Sequence, residues 1–221
     1  PMIICWDIET CPLAVETFSD RQRRRHNLLL DAERAKAPNA PLEDLSRRVR
    51  SLHPALGWIC CIAAQRMDRY TGELFPPKAW TAATPADEEA MLLAFWKDIR
   101  QFSGMETWVT FNGKRFDVEW LVTRSLHHRI QVSNNRMLQR NPYSNEGHVD
   151  LAGLWKKGMG LADVCDLLGV ASPKTALDGG GVAEAVASGR IADVATYCMA
   201  DVTATLECYL IAHQFASPAF R

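Results

Sequence analysis

Short apolar runs alternate along this chain with segments of helical period, an order that predicts an α/β protein. Met2–Trp6 reads as a buried strand with Asp7 and Glu9 at its exit. From Phe18 to about Ala55 the chain turns polar and reads as one or two helices, divided near Pro38-Asn39-Ala40-Pro41. Trp58–Gln65 is a second strand and, after the Thr71-Gly72 turn, Glu73-Leu74-Phe75 a short third. Thr84 as N-cap, Pro85 at the first helical position and Asp87, Glu88 and Glu89 in the first turn open a helix. Its apolar face is Met91, Leu92, Phe95, Trp96 and Ile99. Thr107–Phe111 is another strand, and a helix follows from Phe116. The polar stretch from Asn134 to Gly147 is a loop, and His148-Val149-Asp150-Leu151 a last strand. A helix runs from Gly160 to near Gly169. After the glycine-rich turn from Lys174 to Gly181, Val182–Ala187 and Ile191–Phe215 are helical.

The 221 residues are enough for one sizeable core, and the whole of 1–221 reads as a single domain. A net charge of −1 gives no bulk attraction to nucleic acid, so any basic surface must be local. Seven scattered cysteines with no C-x-x-C pair read as reduced core thiols of a cytoplasmic protein. No apolar stretch is long enough to span a membrane, and no signal segment opens the chain. Pro1 before Met2 reads as a remnant added ahead of the natural start.

The chemistry lies in three acidic blocks. Asp7 and Glu9 stand two apart on a strand and so point to one face. In Phe111-Asn112-Gly113-Lys114-Arg115-Phe116-Asp117, glycine permits a tight turn or a close approach of substrate backbone. Asn112 is a candidate for a sugar or phosphate, Lys114 and Arg115 for phosphates, and Phe116 for a base or the core. Asp117 falls near a helix start. Tyr197 and Asp201, four apart, share a helix face. Taken singly, each block has an ordinary reading as surface or capping acids. Together they offer four carboxylates, good ligands for Mg²⁺ or Mn²⁺.

In order and context these blocks resemble the DEDD superfamily of 3′→5′ exonucleases, in the subclass with a tyrosine in its third motif. The chain is most similar to stand-alone PolB-like exonucleases and to the proofreading domain of family B DNA polymerases. The position where a second subclass carries histidine is Thr196 here. The resemblance implies a ribonuclease H-like fold, a central mixed sheet flanked by helices. It implies two Mg²⁺ or Mn²⁺ ions held by Asp7, Glu9, Asp117 and Asp201, with Tyr197 orienting the attacking water. The implied reaction is hydrolysis of terminal phosphodiesters of single-stranded DNA, releasing nucleoside 5′-monophosphates. RNA trimming by the same fold, or a silent nucleic-acid-binding module, are the alternatives. A replication or repair partner stays unspecified, and no polymerase domain is expected to follow.

The segment at about 18–56 departs from that pattern as a helical basic insertion after the first strand. Arg21, Arg23, Arg24, Arg25, Arg47, Arg48 and Arg50 cluster in it beside His26 and His53, with Leu28, Leu29 and Leu45 to seat it on the body. It is a candidate flap for guiding a nucleic-acid strand, or else a solvated helical pair. Asp150 and Asp163 read as caps or surface acids, and His127 and His128 as surface residues. His148 is a weak candidate for substrate contact. Gly179-Gly180-Gly181 lacks the features of a phosphate loop and reads as a turn near the substrate channel. Trp80 and Trp155 are candidate stacking surfaces.

Overall fold

The computed structural model describes residues 2–102, 104–134, 136–172, 177 and 179–220; half of the turn from Lys174 to Gly181, like Pro1, lies outside them. Five strands form one mixed sheet in the order β3-β2-β1-β4-β5. They are β1 (Met2–Pro12), β2 (Gly57–Asp68), β3 (Lys78–Thr81), β4 (Thr107–Thr110) and β5 (His148–Asp150). β1 pairs antiparallel with β2 and parallel with β4, so it is central, and Ile3, Ile4, Cys5 and Trp6 are buried on its two faces. That burial explains why β1 and β2 read as near-continuous apolar runs rather than alternating ones.

The helices are α1 (Asp20–Lys36), α2 (Leu42–Ser51), α3 (Glu88–Ile99), α4 (Asp117–His127), α5 (Leu161–Leu168), α6 (Val182–Ala187) and α7 (Ile191–Ala216). α7 lies over the sheet face that carries Asp7, with Cys198 against that residue, and α5 and α6 pack on it. α3 takes the Ile4 face, and the Trp96 indole N–H joins it to α4 through Ser125 Oγ at 2.9 Å. No helix of the described residues is long and apolar enough to cross a membrane.

Several elements differ from their sequence reading. β1 does not end at the acidic pair: it pairs with β2 as far as Pro12, across a bulge at Glu9/Thr10 that leaves Cys60 as the extra residue. The expected third strand at Glu73–Phe75 is only a single bridge, Met67 to Leu74, and β3 forms instead at Lys78–Thr81. Trp80 supplies the reason. Half-buried, it packs edge-on against Phe95 at 5.2 Å and donates its indole N–H to Asp98 at 3.0 Å, so it is a packing residue. The turn at Thr84 forms, with Asp87 accepting the Thr84 N–H and hydroxyl, but α3 begins only at Glu88. The insertion does divide at the Pro38–Pro41 segment, and Ser19 with Gln22 closes a capping box at the start of α1.

A buried ion pair between α3 and α4, tied to β2 through the Ile59 N–H, had no signature in the sequence. Glu88, wholly buried, accepts the Ile59 N–H at 2.7 Å, the Arg124 guanidinium, and the His128 ring at 2.8 Å. His128 is therefore a partner in this network and not a free surface residue. Replacing Arg124 with Met leaves a buried carboxylate without its main partner, at a cost of about 3–5 kcal/mol. A thermal melt of Arg124→Met is expected to fall by about 10 °C or more; an unshifted midpoint would show the pair to be dispensable.

Candidate active site

The two sides of β1 are bonded differently. Toward β4 its pairing stops at Cys5↔Val109, while toward β2 the ladder continues. The strands part at that point, and Asp117 at the start of α4 fills the gap, its Oδ1 accepting the Ile8 N–H at 3.1 Å. One backbone amide, between Asp7 and Glu9, thus ties the first acidic block to the second. The Cys60 thiol donates to the Glu9 carbonyl at 3.3 Å from within the bulge, which fixes the turn of β1 at the acid.

The 112–117 loop is held by groups the sequence reading had set aside. Asn112 takes a left-handed backbone (φ 65°). A Cβ on Gly113 would stand 2.5 Å from the Thr110 side chain, so only glycine lets the chain fold so tightly. Asp150 accepts the N–H groups of Asn112 at 2.6 Å and Lys114 at 3.1 Å, and that of Ala152 at 3.2 Å. It is a cap, as read, but a cap on the loop that delivers Asp117. Its signal was its place at the end of β5, parallel to β4. Asp163 caps α5 through the Gly160 N–H at 2.8 Å.

Tyr197 and Asp201 face the same place from α7. The Tyr197 hydroxyl lies near enough to lower Asp201, and the phenol in turn feels the charges of Asp201, Glu9 and Asp7. Thr196, in the alternative histidine position, is exposed and bonds its own helix at the Ala192 carbonyl. Asp7, Glu9, Asp117, Tyr197 and Asp201 are thus brought together from β1, α4 and α7.

Burial and mutual repulsion dominate the electrostatics. Burial, then Asp117, Glu9 and Asp201, push Asp7 well above the ordinary carboxylate range. Burial and Asp201 do the same to Glu9. Burial lifts Asp117 to about 7 against the pull of Asp7 and the Ile8 N–H, and lifts Asp201 to about 6 against the pull of the Tyr197 hydroxyl. Burial, then Asp201 and Glu9, raise the Tyr197 phenol, which stays neutral. No lysine or arginine pairs with any of the four acids among the described residues. An all-carboxylate donor set of this kind, repelling itself and lacking a protein cation, fits hard divalent ions.

Among the described residues, donor atoms of Asp7, Glu9 and Cys198 lie within 4.8 Å of one another. Burial holds the Cys198 thiol well above its usual value, so it is a neutral floor beneath Asp7. All seven cysteines are free and buried, as expected of core thiols.

Of the expected substrate contacts, Asn112 and Arg115 are exposed, and Phe116 is half-buried against Trp120 at 5.9 Å. Lys114 departs from expectation. It is only 3% exposed, and its ammonium is spent on the Asn141 and Ser144 carbonyls, so it anchors the 141–144 loop and cannot reach a phosphate. His148 is also corrected. It is fully buried, its Nδ1 donates to the Gln139 carbonyl at 3.1 Å, and burial lowers it to about 3. Its Nε2 therefore accepts the Thr110 hydroxyl at 2.8 Å, and the ring braces β4 against β5. Trp155 is half-buried, packed against the core.

With this geometry in place, residues 55–218 match the family described as "Predicted 3′-5′ exonuclease related to the exonuclease domain of PolB". The chain belongs to that family. The matched span contains Asp117, Tyr197 and Asp201, while Asp7 and Glu9 lie before it.

Among solved structures, the chain is similar to a family B DNA polymerase of Pyrobaculum calidifontis (TM-score 0.62, 16% identity), covering 96% of this chain and 24% of that one. It is also similar to E. coli exonuclease I in a metal-free complex with single-stranded DNA (TM-score 0.52, 14% identity), covering 99% and 41%. At these identities the likeness establishes the fold, the ribonuclease H-like arrangement of exonuclease domains. An uncharacterized protein of Methanocaldococcus jannaschii is 32% identical over 104 residues, 44% of this chain. The match spans about half, 54%, of that relative's length.

Proposed function

We infer that the chain is a metal-dependent 3′→5′ exonuclease of the tyrosine-bearing DEDD type, acting on single-stranded DNA ends. The observation that carries this reading is the convergence of four carboxylates and one tyrosine from three separate elements, with no protein cation to neutralise them among the described residues. Its free, buried thiols suit a reducing, cytoplasmic setting.

In this reading Asp7, Glu9, Asp117 and Asp201 hold two Mg²⁺ or Mn²⁺ ions. Such ions supply positive charge to the reacting phosphate and lower the pKa of water. The protein's own work is positional. The Ile8 N–H and the Asp150-capped loop fix Asp117, so its carboxylate stays aimed when strands β1 and β4 part. Tyr197, neutral and four residues before Asp201, has a hydroxyl to orient a water without repelling the phosphate. In this reading Asn112 and Arg115, exposed beside Phe116, meet the last nucleotides of a strand.

A 5′-labelled single strand, as DNA and as RNA, incubated with Mn²⁺, Mg²⁺ or EDTA tests the reading. A metal-dependent ladder shortening from the 3′ end is expected, stronger on DNA. Equal or faster shortening of RNA would turn the assignment to RNA trimming. An intact strand that still binds would leave a silent binding module.

A further inference from the structure

α1 carries arginines where a helix can least accommodate them. After Asp20, the first turn and a half brings Arg21, Arg23, Arg24 and Arg25 to the helix N-terminus, where the macrodipole disfavours cations. Arg21, Arg24 and Arg25 also share one face at i, i+3 and i+4, a like-charge arrangement that weakens a helix. All three are exposed, and none makes an ion pair among the described residues. Arg23 is tethered by a bond to the Glu16 carbonyl at 3.2 Å, and Arg50 is turned inward onto the Leu13 and Ser46 carbonyls. The adjoining face of α1 seats the helix: His26 is buried against Phe18 and Ser46, with Leu29 and Gln22 beside it, whereas Leu28 is left 63% exposed. Residues 18–56 hold nine cations against five acids, on a chain whose net charge is −1.

The hairpin is fixed at the lip of the acidic centre. The Thr10 hydroxyl, next to Glu9, donates to the Ser51 carbonyl at the end of α2 at 2.7 Å. Gln22 Nε2 holds the Ala55 carbonyl at 2.8 Å. A Cβ on Gly57 would meet the Arg50 and Cys11 carbonyls and the Trp120 ring at 2.6–2.7 Å, so α2, the end of β1 and α4 close on one another there. Burial, then the charge of Arg25, lowers His53, against a pull from Glu119 in the first turn of α4.

We propose that Arg21, Arg24 and Arg25 form a landing track for the phosphate backbone of a single-stranded nucleic acid whose 3′ end enters the acidic centre. Three unpaired guanidiniums on one face offer spaced, bidentate phosphate donors, and the ligand's charge offsets the repulsion the helix otherwise carries. The track rests on the exonuclease reading for its direction, but its binding does not need chemistry.

The test is affinity for a labelled strand of about twelve nucleotides, within the site sizes usual for such grooves, measured in EDTA across a salt series. Arg21, Arg24 and Arg25, replaced together by Gln, keep helix propensity. The substituted protein is expected to bind roughly tenfold or more weakly, with a salt slope shallower by about 2, at ~0.7 per lost phosphate contact. Its melting temperature is expected to hold or rise, which a structural role for the arginines would not allow. Lysine at the three positions is expected to restore the slope. An unchanged slope in the substituted protein, beside a wild type that trims 3′ ends, overturns the track alone. A wild type that binds with the expected slope and never cleaves overturns the exonuclease reading and leaves the track standing.

Discussion

Replacing Asp7 with Ala is expected to reduce 3′ trimming by about a thousandfold or more while leaving the fold intact. The residue is central in the geometry: it repels Asp117, Glu9 and Asp201 at once and lies on the strand whose Ile8 N–H holds Asp117. A cation ligand of this kind contributes several kcal/mol of transition-state stabilisation, and each 1.36 kcal/mol is about tenfold in rate. Tyr197→Phe keeps all four carboxylates and removes one orienting hydroxyl, so a loss of about 10–100-fold is expected. Single-turnover rates on a labelled strand at saturating Mn²⁺ separate the two. Full activity in the Asp7 variant would remove the assignment; a Tyr197 variant as dead as the Asp7 one would give the phenol a larger part than orientation.

The second expectation concerns stability. Asp117 at about 7 and Asp201 at about 6 bind protons more tightly in the folded chain than in the unfolded one, where carboxylates titrate near their ordinary value of 3.8. The folded state therefore holds the extra protons between roughly pH 4 and 7. The contribution of these groups is fully present below pH 4 and is lost as pH rises through 6 and 7. In EDTA the melting temperature should accordingly decline across that window. Asp117→Asn, which cannot ionise, should flatten the decline and melt higher than the wild type at neutral pH. Adding Mn²⁺ at pH 7.5 should reverse the loss. A concentration a hundred times the dissociation constant is worth about 2.7 kcal/mol, or about 5–10 °C for a chain of this size. A melt indifferent both to pH and to Mn²⁺ would mean that the four acids do not form a common cation site.

These two expectations draw on parts of the molecule that the sequence exposed unequally. The acids were legible because carboxylates at the end of an apolar run conflict with burial, and their spacing placed them on shared faces. The central strands were legible because β1 and β2 are buried on both sides. β3 was not, since Lys78–Thr81 is a half-covered edge held by one tryptophan, with no apolar run to mark it. Lys114 was misjudged because a lysine in a loop next to an acid looks like a phosphate ligand. Only the fold reveals the Asn141 and Ser144 carbonyls that capture it. The Glu88–Arg124–His128 network and the Asp150 cap are long-range pairings, joining residues 36 to 40 positions apart, and local pattern carries no trace of them.

The chain leaves the body at Leu13 and returns at Leu56, and these two residues share a backbone hydrogen bond, Leu13 N–H to Leu56 carbonyl at 3.0 Å. Departure and return therefore occupy one point, beside the last rung of the β1–β2 ladder at Pro12↔Gly57. Such an attachment behaves as a cassette. α1 and α2 can be exchanged or shortened to a tight turn while β1 and β2 stay in step, so substrate handling is free to diversify on an unaltered catalytic chassis.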